Sequence, residues 1–514
     1  MVLAVSLLVA GSLFPFPLSA ASDQPSGKAS TEETKREPSK ERVPTSQSKT
    51  FITRHQVRID GKELSYTATA GELPIQTEAG ETEARMFYVA YQAESKERSK
   101  RRPLLFVFNG GPGAASVWLH LGALGPRRVQ MLPDGNMPPP PFHLVDNAYS
   151  WLDLADLVFV DPVGTGYSRA EKPDLAKNFA TVRGDIESLG SFVRLYLTRN
   201  DRWGAPLFLV GESYGTFRAA GLSDFLLEHG IALSGMIEVS MVLNMQTISF
   251  DNGNDLPYQL FLPSYTATAW YHKKLDPDLQ ADLDKTLSAA EQWAAGEFQD
   301  ALNKGDRLSA AERQAVVAKM ARFTGLSPSF IDNRNLRIDQ TTFARELLRD
   351  SRRITGWMDS RLTAADVDPS AQRGFDPTVT TIRPPFTSAM NSYLRDELGY
   401  QSDHEYFTLG GGVGRWDWEA KNSYADTSDN LRNALAKNPY MKVMVASGLF
   451  DLATPHFAAE YTLAHLGLTP ALRRNITERR YRSGHMMYLD SNALIQLKSD
   501  VADFITQTLK EQAK

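Results

Sequence analysis

The chain predicts an α/β protein built on a central, mostly parallel sheet flanked by helices. Two observations carry that expectation. Five apolar runs, at 104–108, 157–160, 207–210, 236–243 and 441–445, lack the in-out alternation of a half-solvated strand, so both faces must be covered. Helical periodicity fills intervals between them, as at 185–197, and strand-helix-strand order makes neighbouring strands parallel. A length of 514 residues allows a large core with an appended substructure, and 42% apolar with 23% charged residues is a globular composition.

Taken in order, residues 1–21 form an apolar run broken by Pro15 and Pro17 and closing on Ser19-Ala20-Ala21, the pattern of a signal peptide without its positive start. The run is too short for a membrane span. Residues 22–50 are mostly Ser, Pro, Lys and Glu and bury too little to offset the entropy of ordering, so they read as a disordered tether. From Phe51 apolar and polar positions alternate: 56–66 reads as a hairpin turning at Asp60-Gly61, and 85–91 as a further strand. The basic cluster at 96–102 reads as a solvated hairpin loop. The sheet domain spans 51–250 and 401–514. Residues 251–400 form a mainly helical insertion, a lid, with a long helix over 276–302, a capping box at Ser309 and Glu312 opening a helix to about 323, and a third helix over 342–349.

Several function classes are disfavoured at this stage. A net charge of −5 gives no reason to expect nucleic acid. The absence of cysteine excludes disulfides, thiolate metal sites and a cysteine nucleophile.

Chemistry concentrates at Gly211-Glu-Ser-Tyr-Gly215, where an apolar run feeds a Gly-x-Ser-x-Gly turn and a helical segment follows. That pattern fits a nucleophile elbow with Ser213 at its tip. A base and an orienting acid are then required in the order Ser, Asp or Glu, His. Of nine histidines, His55, His120, His143 and His229 precede the serine or lie on its following helix, His272 is in the insertion, and His404 has no sheet strand before it. His456 and His465 lie in a helical stretch after Thr454-Pro455. His485 follows a strand-like segment at 476–481 and sits in a strand-end loop, where catalytic groups of open parallel sheets gather. Asp451 ends another strand and its glycine loop. A strand followed by Asn109-Gly-Gly-Pro-Gly113 offers backbone donors for an oxyanion, because Pro112 and the missing Lys-Ser/Thr ending do not suit a phosphate loop. Gly410-Gly-Gly-Val-Gly-Arg415 reads as a flexible loop and not a dinucleotide site.

Asn109-Gly-Gly-Pro-Gly113, Asp161-Pro-Val-Gly-Thr-Gly-Tyr-Ser168, Gly211-Glu-Ser-Tyr-Gly215, Ser447-Gly-Leu-Phe-Asp451 and Gly484-His-Met486 together resemble the serine carboxypeptidase family of α/β-hydrolases, from about residue 55 onward. Gly325-Leu-Ser-Pro, Asn335-Leu-Arg-Ile and Met358-Asp-Ser-Arg361 look like the bacterial branch. The resemblance implies an α/β-hydrolase fold, with Ser213 as nucleophile, His485 as base then acid, Asp451 as its orienter, and the N–H groups of Gly111 and Tyr214 as oxyanion donors. It also implies that Asn109 and Glu212 bind the free C-terminal carboxylate of a peptide. Ala114 stands where the family usually has a disulfide cysteine. The expectation is an exported enzyme, periplasmic or extracellular in a bacterium, that releases C-terminal residues with no metal or cofactor. An esterase or acyltransferase with the same triad, and a non-catalytic binding protein on this fold, are the alternatives.

Overall fold

The structure, a computed structural model, describes residues 50–94, 101–368 and 375–513. The expected signal peptide, the tether and most of the basic cluster lie outside the described residues. Among the described residues ten strands form one sheet. Across it run Thr50–Ile59, Lys62–Gln76, Thr82–Ala93, Asp156–Val160, Leu104–Phe108, Leu207–Glu212, Gly235–Val239, Lys442–Gly448 and Ile476–Tyr481, with the short Arg169–Ala170 paired off this path. The first three strands are antiparallel, and pairing is parallel from Asp156–Val160 to Ile476–Tyr481. Asp60 and Gly61, at φ 47° and 75°, supply the two left-handed positions of a tight hairpin turn.

One expectation is corrected. The basic segment at 96–102 joins Thr82–Ala93 to Leu104–Phe108, which are not neighbours, because Asp156–Val160 lies between them and pairs with both. The two flanking strands therefore do not form the expected hairpin, because a strand more than fifty residues away lies between them.

The unalternating strands are explained by two cores of opposite facing. Leu105, Val107, Phe208, Val210, Ile237 and Val239 pack on one face with Leu494, Leu497 and Val501 of the C-terminal helix Ser491–Gln512. Leu104, Phe106, Leu207, Leu209 and Met236 pack on the other with Phe192 of Val182–Arg199 and Leu222 of Tyr214–Glu228. With both faces dry, successive positions of these strands are mostly apolar, Glu238 in Gly235–Val239 being an exception.

Residues 256–346 supply a third core around Tyr265, Trp293, Phe323 and Phe343. Its central helix, Leu256–Tyr271, buries residues on every side and contains Pro263. The long helix expected over 276–302 is interrupted once, at 281–282: Pro277–Gln280 precedes Leu283–Trp293, which continues through a π-turn into Gln299–Lys304. The break is local: the Asp282 carboxylate accepts from the N–H groups of Asp284 and Lys285 and starts a new helix. The capping box of Ser309 and Glu312 opens Ala310–Thr324 as the sequence indicates, and Gln340–Glu346 is the third helix. Helix Pro377–Ser392 packs into the main core through Ile382, Phe386 and Met390 and delivers Ile382 to the site. Among the described residues no helix is long and apolar enough to cross a membrane.

Candidate active site

Ser213 occupies the turn between strand Leu207–Glu212 and helix Tyr214–Glu228, at φ 60° and ψ −131°. A non-glycine residue there stores on the order of 1–3 kcal/mol of strain. The surroundings over-determine it. The Ser213 N–H donates to Val239 O of the next strand at 3.0 Å, and a Cβ on Gly211 would lie 2.3 Å from Gly215 O. Only glycine at 211 lets strand and helix meet this closely. The loop 109–113 rests on the elbow, since a Cβ on Gly110 would lie 2.4 Å from Tyr214 N. Tyr214 is the first helical residue, so its N–H has no intrahelical acceptor. Arg218, one turn on, is 1% exposed, pairs with Asp185 at 2.7 Å and donates through Nη1 to Asn109 O, which braces the loop against the elbow helix.

His485 is held at both ends of its backbone: its N–H donates to Met358 O at 2.6 Å, and its carbonyl accepts from Ser240 Oγ at 2.6 Å. Its Nδ1 stands 2.7 Å from Asp451 Oδ2. An acceptor at Nδ1 places the neutral ring's proton there and leaves Nε2 as the basic nitrogen. Asp451 is 0% exposed, and its Oδ1 accepts from the N–H groups of Ala453 and Thr454 at 2.7 and 3.0 Å. Thr454 Oγ1 lies 2.9 Å from Asp451 Oδ2 and 3.0 Å from Ser240 O. Burial pulls the His485 pKa down, but the charge and hydrogen bond of Asp451, with Glu212 and Asp376, lift it above the ordinary histidine value.

Glu212 is 3% exposed, and burial pushes its pKa up to about 7 against the opposing influence of His485, Tyr488 and Asn109. Its Oε2 accepts from the Tyr488 hydroxyl at 2.6 Å. Asn109 presents Oδ1 to the Leu119 N–H at 3.0 Å, while its buried Nδ2 completes no hydrogen bond within the protein. Asn109, Gly111, Glu212, Ser213 and His485 all line one cavity of about 290 Å³, with Trp118, Trp357, Ile382, Leu409 and Met486 among its apolar walls.

The sequence-derived residues therefore converge, with Asp451 behind His485 and Tyr214 contributing backbone beside the loop. His456 is not the helix-surface residue its position suggests. It is fully buried at the start of His456–Ala464, with Nε2 3.1 Å from Glu291 of the insertion. His465 is exposed and its Nδ1 meets Tyr461 O. Four residues escaped the sequence reading: Tyr488, Thr454, Ser240 and Asp376, whose carboxylate accepts from the N–H groups of Trp357, Met358 and Thr378. Tyr488 sits three positions past His485, the one local signal available. Insertion and histidine loop are clamped together by Arg361, which bonds Asp359 at 2.7 Å, Asp490 at 3.0 Å and Ser483 Oγ at 2.9 Å.

A mixed sheet, parallel across its centre, with helices on both faces and a strained serine at a strand-helix elbow defines an α/β-hydrolase. The sequence model described as serine carboxypeptidase matches residues 62–496, and the chain belongs to that family. It is 31% identical over 153 residues to serine carboxypeptidase-like 13 of Arabidopsis thaliana, covering 28% of this chain and 34% of that protein. Serine carboxypeptidase-like 36 of the same plant is 28% identical over 266 residues, covering 50% and 51%. The chain thus spans from about a third to about half the length of these curated relatives. The solved structure of a prohormone-processing carboxypeptidase from Saccharomyces cerevisiae has the same fold, at a TM-score of 0.52 and 18% identity, covering 86% of this chain and 91% of that one.

Proposed function

We propose that this protein is a serine-type carboxypeptidase that releases C-terminal residues from peptides through an acyl-enzyme. Ser213 Oγ attacks the last peptide carbonyl as His485 Nε2 takes its proton, and Asp451 stabilises the imidazolium that forms. The oxyanion accepts from the N–H groups of Gly111 and Tyr214. The imidazolium then protonates the departing amine, and water repeats the sequence to free the acyl group. Asn109 Nδ2 and the protonated Glu212 hold the substrate carboxylate. The observation that carries this reading is Glu212: a carboxyl beside the elbow serine, kept neutral up to about pH 7, is a hydrogen-bond donor that a carboxylate can accept from. An acyltransferase or esterase would need the serine, histidine and aspartate but not that donor.

The leader at 1–21 and the tether at 22–50 support export, and the insertion motifs at 325–328 and 358–361 support the bacterial branch. Labelling with a fluorophosphonate tests the nucleophile. Ser213→Ala is expected to abolish labelling and to cost on the order of a millionfold in turnover; an alanine variant with full activity would end the proposal.

A further inference from the structure

Tyr488 is 2% exposed and lies on the short 3-10 turn Met487–Leu489, behind Glu212 as seen from the cavity. Its ring is packed closely, since a Cβ on Gly122 would fall 2.5 Å from Tyr488 Cε2. The hydroxyl donates to Glu212 Oε2 at 2.6 Å. Burial pushes the Tyr488 phenol well above its usual range, so the hydroxyl stays a donor wherever the protein works. The other groups facing Glu212 are His485, Asp451 and Asn109, and Asp376 in turn faces His485.

Resting on the reading of Glu212 as a carboxylate binder, we propose that Tyr488 is a positioning residue that occupies Glu212 Oε2, assigns the acidic proton to Oε1 for the substrate carboxylate, and thereby sets the pH at which peptide turnover stops. An oxygen already accepting from Tyr488 is the poorer site for a proton whose own donation must reach the substrate, so the proton resides on Oε1. The same hydrogen bond favours the ionised form of Glu212, which holds the upper pH limit lower than burial alone would. No proton moves onto or off Tyr488 in the cycle.

The test is Tyr488→Phe, assayed from pH 4 to 9 on a dipeptide with a free C-terminus and on its amide and ester. The alkaline midpoint for the free acid is expected to rise by about one to two pH units, the size of a lost hydrogen bond to a charged group. KM for the free acid at low pH is expected to rise about threefold to tenfold as the proton loses its orientation. A midpoint that stays or falls, or an equal loss of kcat on all three substrates, would overturn the assignment. In a Glu212→Gln background, Tyr488→Phe should move no midpoint, and a shift that persists there would also overturn it. If Glu212→Gln alone leaves the pH profile unchanged, the parent reading fails instead. Should Tyr488→Phe not fold, 3-fluorotyrosine at 488 keeps the shape while strengthening the donor, and the midpoint should then fall.

Discussion

Glu212 and His485 must carry opposite proton states for the proposed reaction, and the fold pushes both upward. Glu212 has to keep its proton and is held near 7, while His485 has to lose its own and is lifted above the usual histidine value. Raising the pH deprotonates His485, which favours attack, and deprotonates Glu212, which removes carboxylate binding, so free-acid turnover needs both states at once. For free-acid peptides kcat/KM should therefore be bell-shaped, whereas ester hydrolysis should show the rising limb alone. A falling limb for esters at the same pH would place it on a group other than Glu212. Histidine choice is tested separately: fluorophosphonate labelling should be lost in His485→Ala and retained in His465→Ala. Ser213, Asp451 and His485 could be read from the sequence because each ends a recognisable strand. Tyr488 and Ser240 could not, since their contacts to Glu212 and His485 span 276 and 245 positions.

The elements around the elbow owe their fit to close backbone approach and to one buried ion pair. Gly211→Ala would force a Cβ to within 2.3 Å of Gly215 O, so that variant is expected to be insoluble or devoid of labelling, even though alanine suits both strand and helix better than glycine. Arg218→Met leaves Asp185 buried without its partner, at a cost of about 3–5 kcal/mol. The double variant Arg218→Met with Asp185→Asn should recover much of that stability. It should not recover turnover, because Asn109 O still lacks the Arg218 donor. Chemical denaturation and peptide assays of both variants check this, and equal activity in the double variant and wild type would remove the loop-bracing role. Hairpin Thr50–Gln76 and strand Ile476–Tyr481 were legible because their signals are local: a left-handed Asp-Gly turn and a short run between polar loops. Helix Leu256–Tyr271 was missed because it is buried all round and shows no amphipathic period. Strand order was likewise beyond local reading, since Asp156–Val160 enters the sheet between two strands that precede it in sequence.

The whole fold carries a proton debt that the site alone does not explain. Glu238 is 0% exposed in the middle of the sheet, neither carboxylate oxygen has a hydrogen-bond partner, and burial pushes its pKa well above the usual range. Burial likewise raises Asp161 and Asp376 to about 6, against hydrogen bonds from Ser116 and Thr378. Carboxyls raised in the folded state bind more protons there than in the unfolded chain, so the stability these three contribute is full below about pH 4 and is lost as pH climbs through their folded values, while buried His120, lowered to about 3, opposes this. Acid unfolding driven by net charge is superimposed on this below the carboxylate range. Thermal midpoints should accordingly decline from pH 5 to pH 8. Glu238→Met should raise the midpoint more at pH 8 than at pH 5; an equal change at both would mean Glu238 is not protonated in the fold. The export proposal predicts a native N-terminus near residue 22, checked by sequencing the mature protein. The central claim, that a neutral Glu212 and Asn109 recognise a free C-terminus beside Ser213, is tested most directly by digesting one peptide as its free acid and as its C-terminal amide at pH 5 and following products by mass. Stepwise loss of single C-terminal residues is expected from the free acid, with sharply reduced cleavage of the amide. Equal cleavage of the two would contradict it.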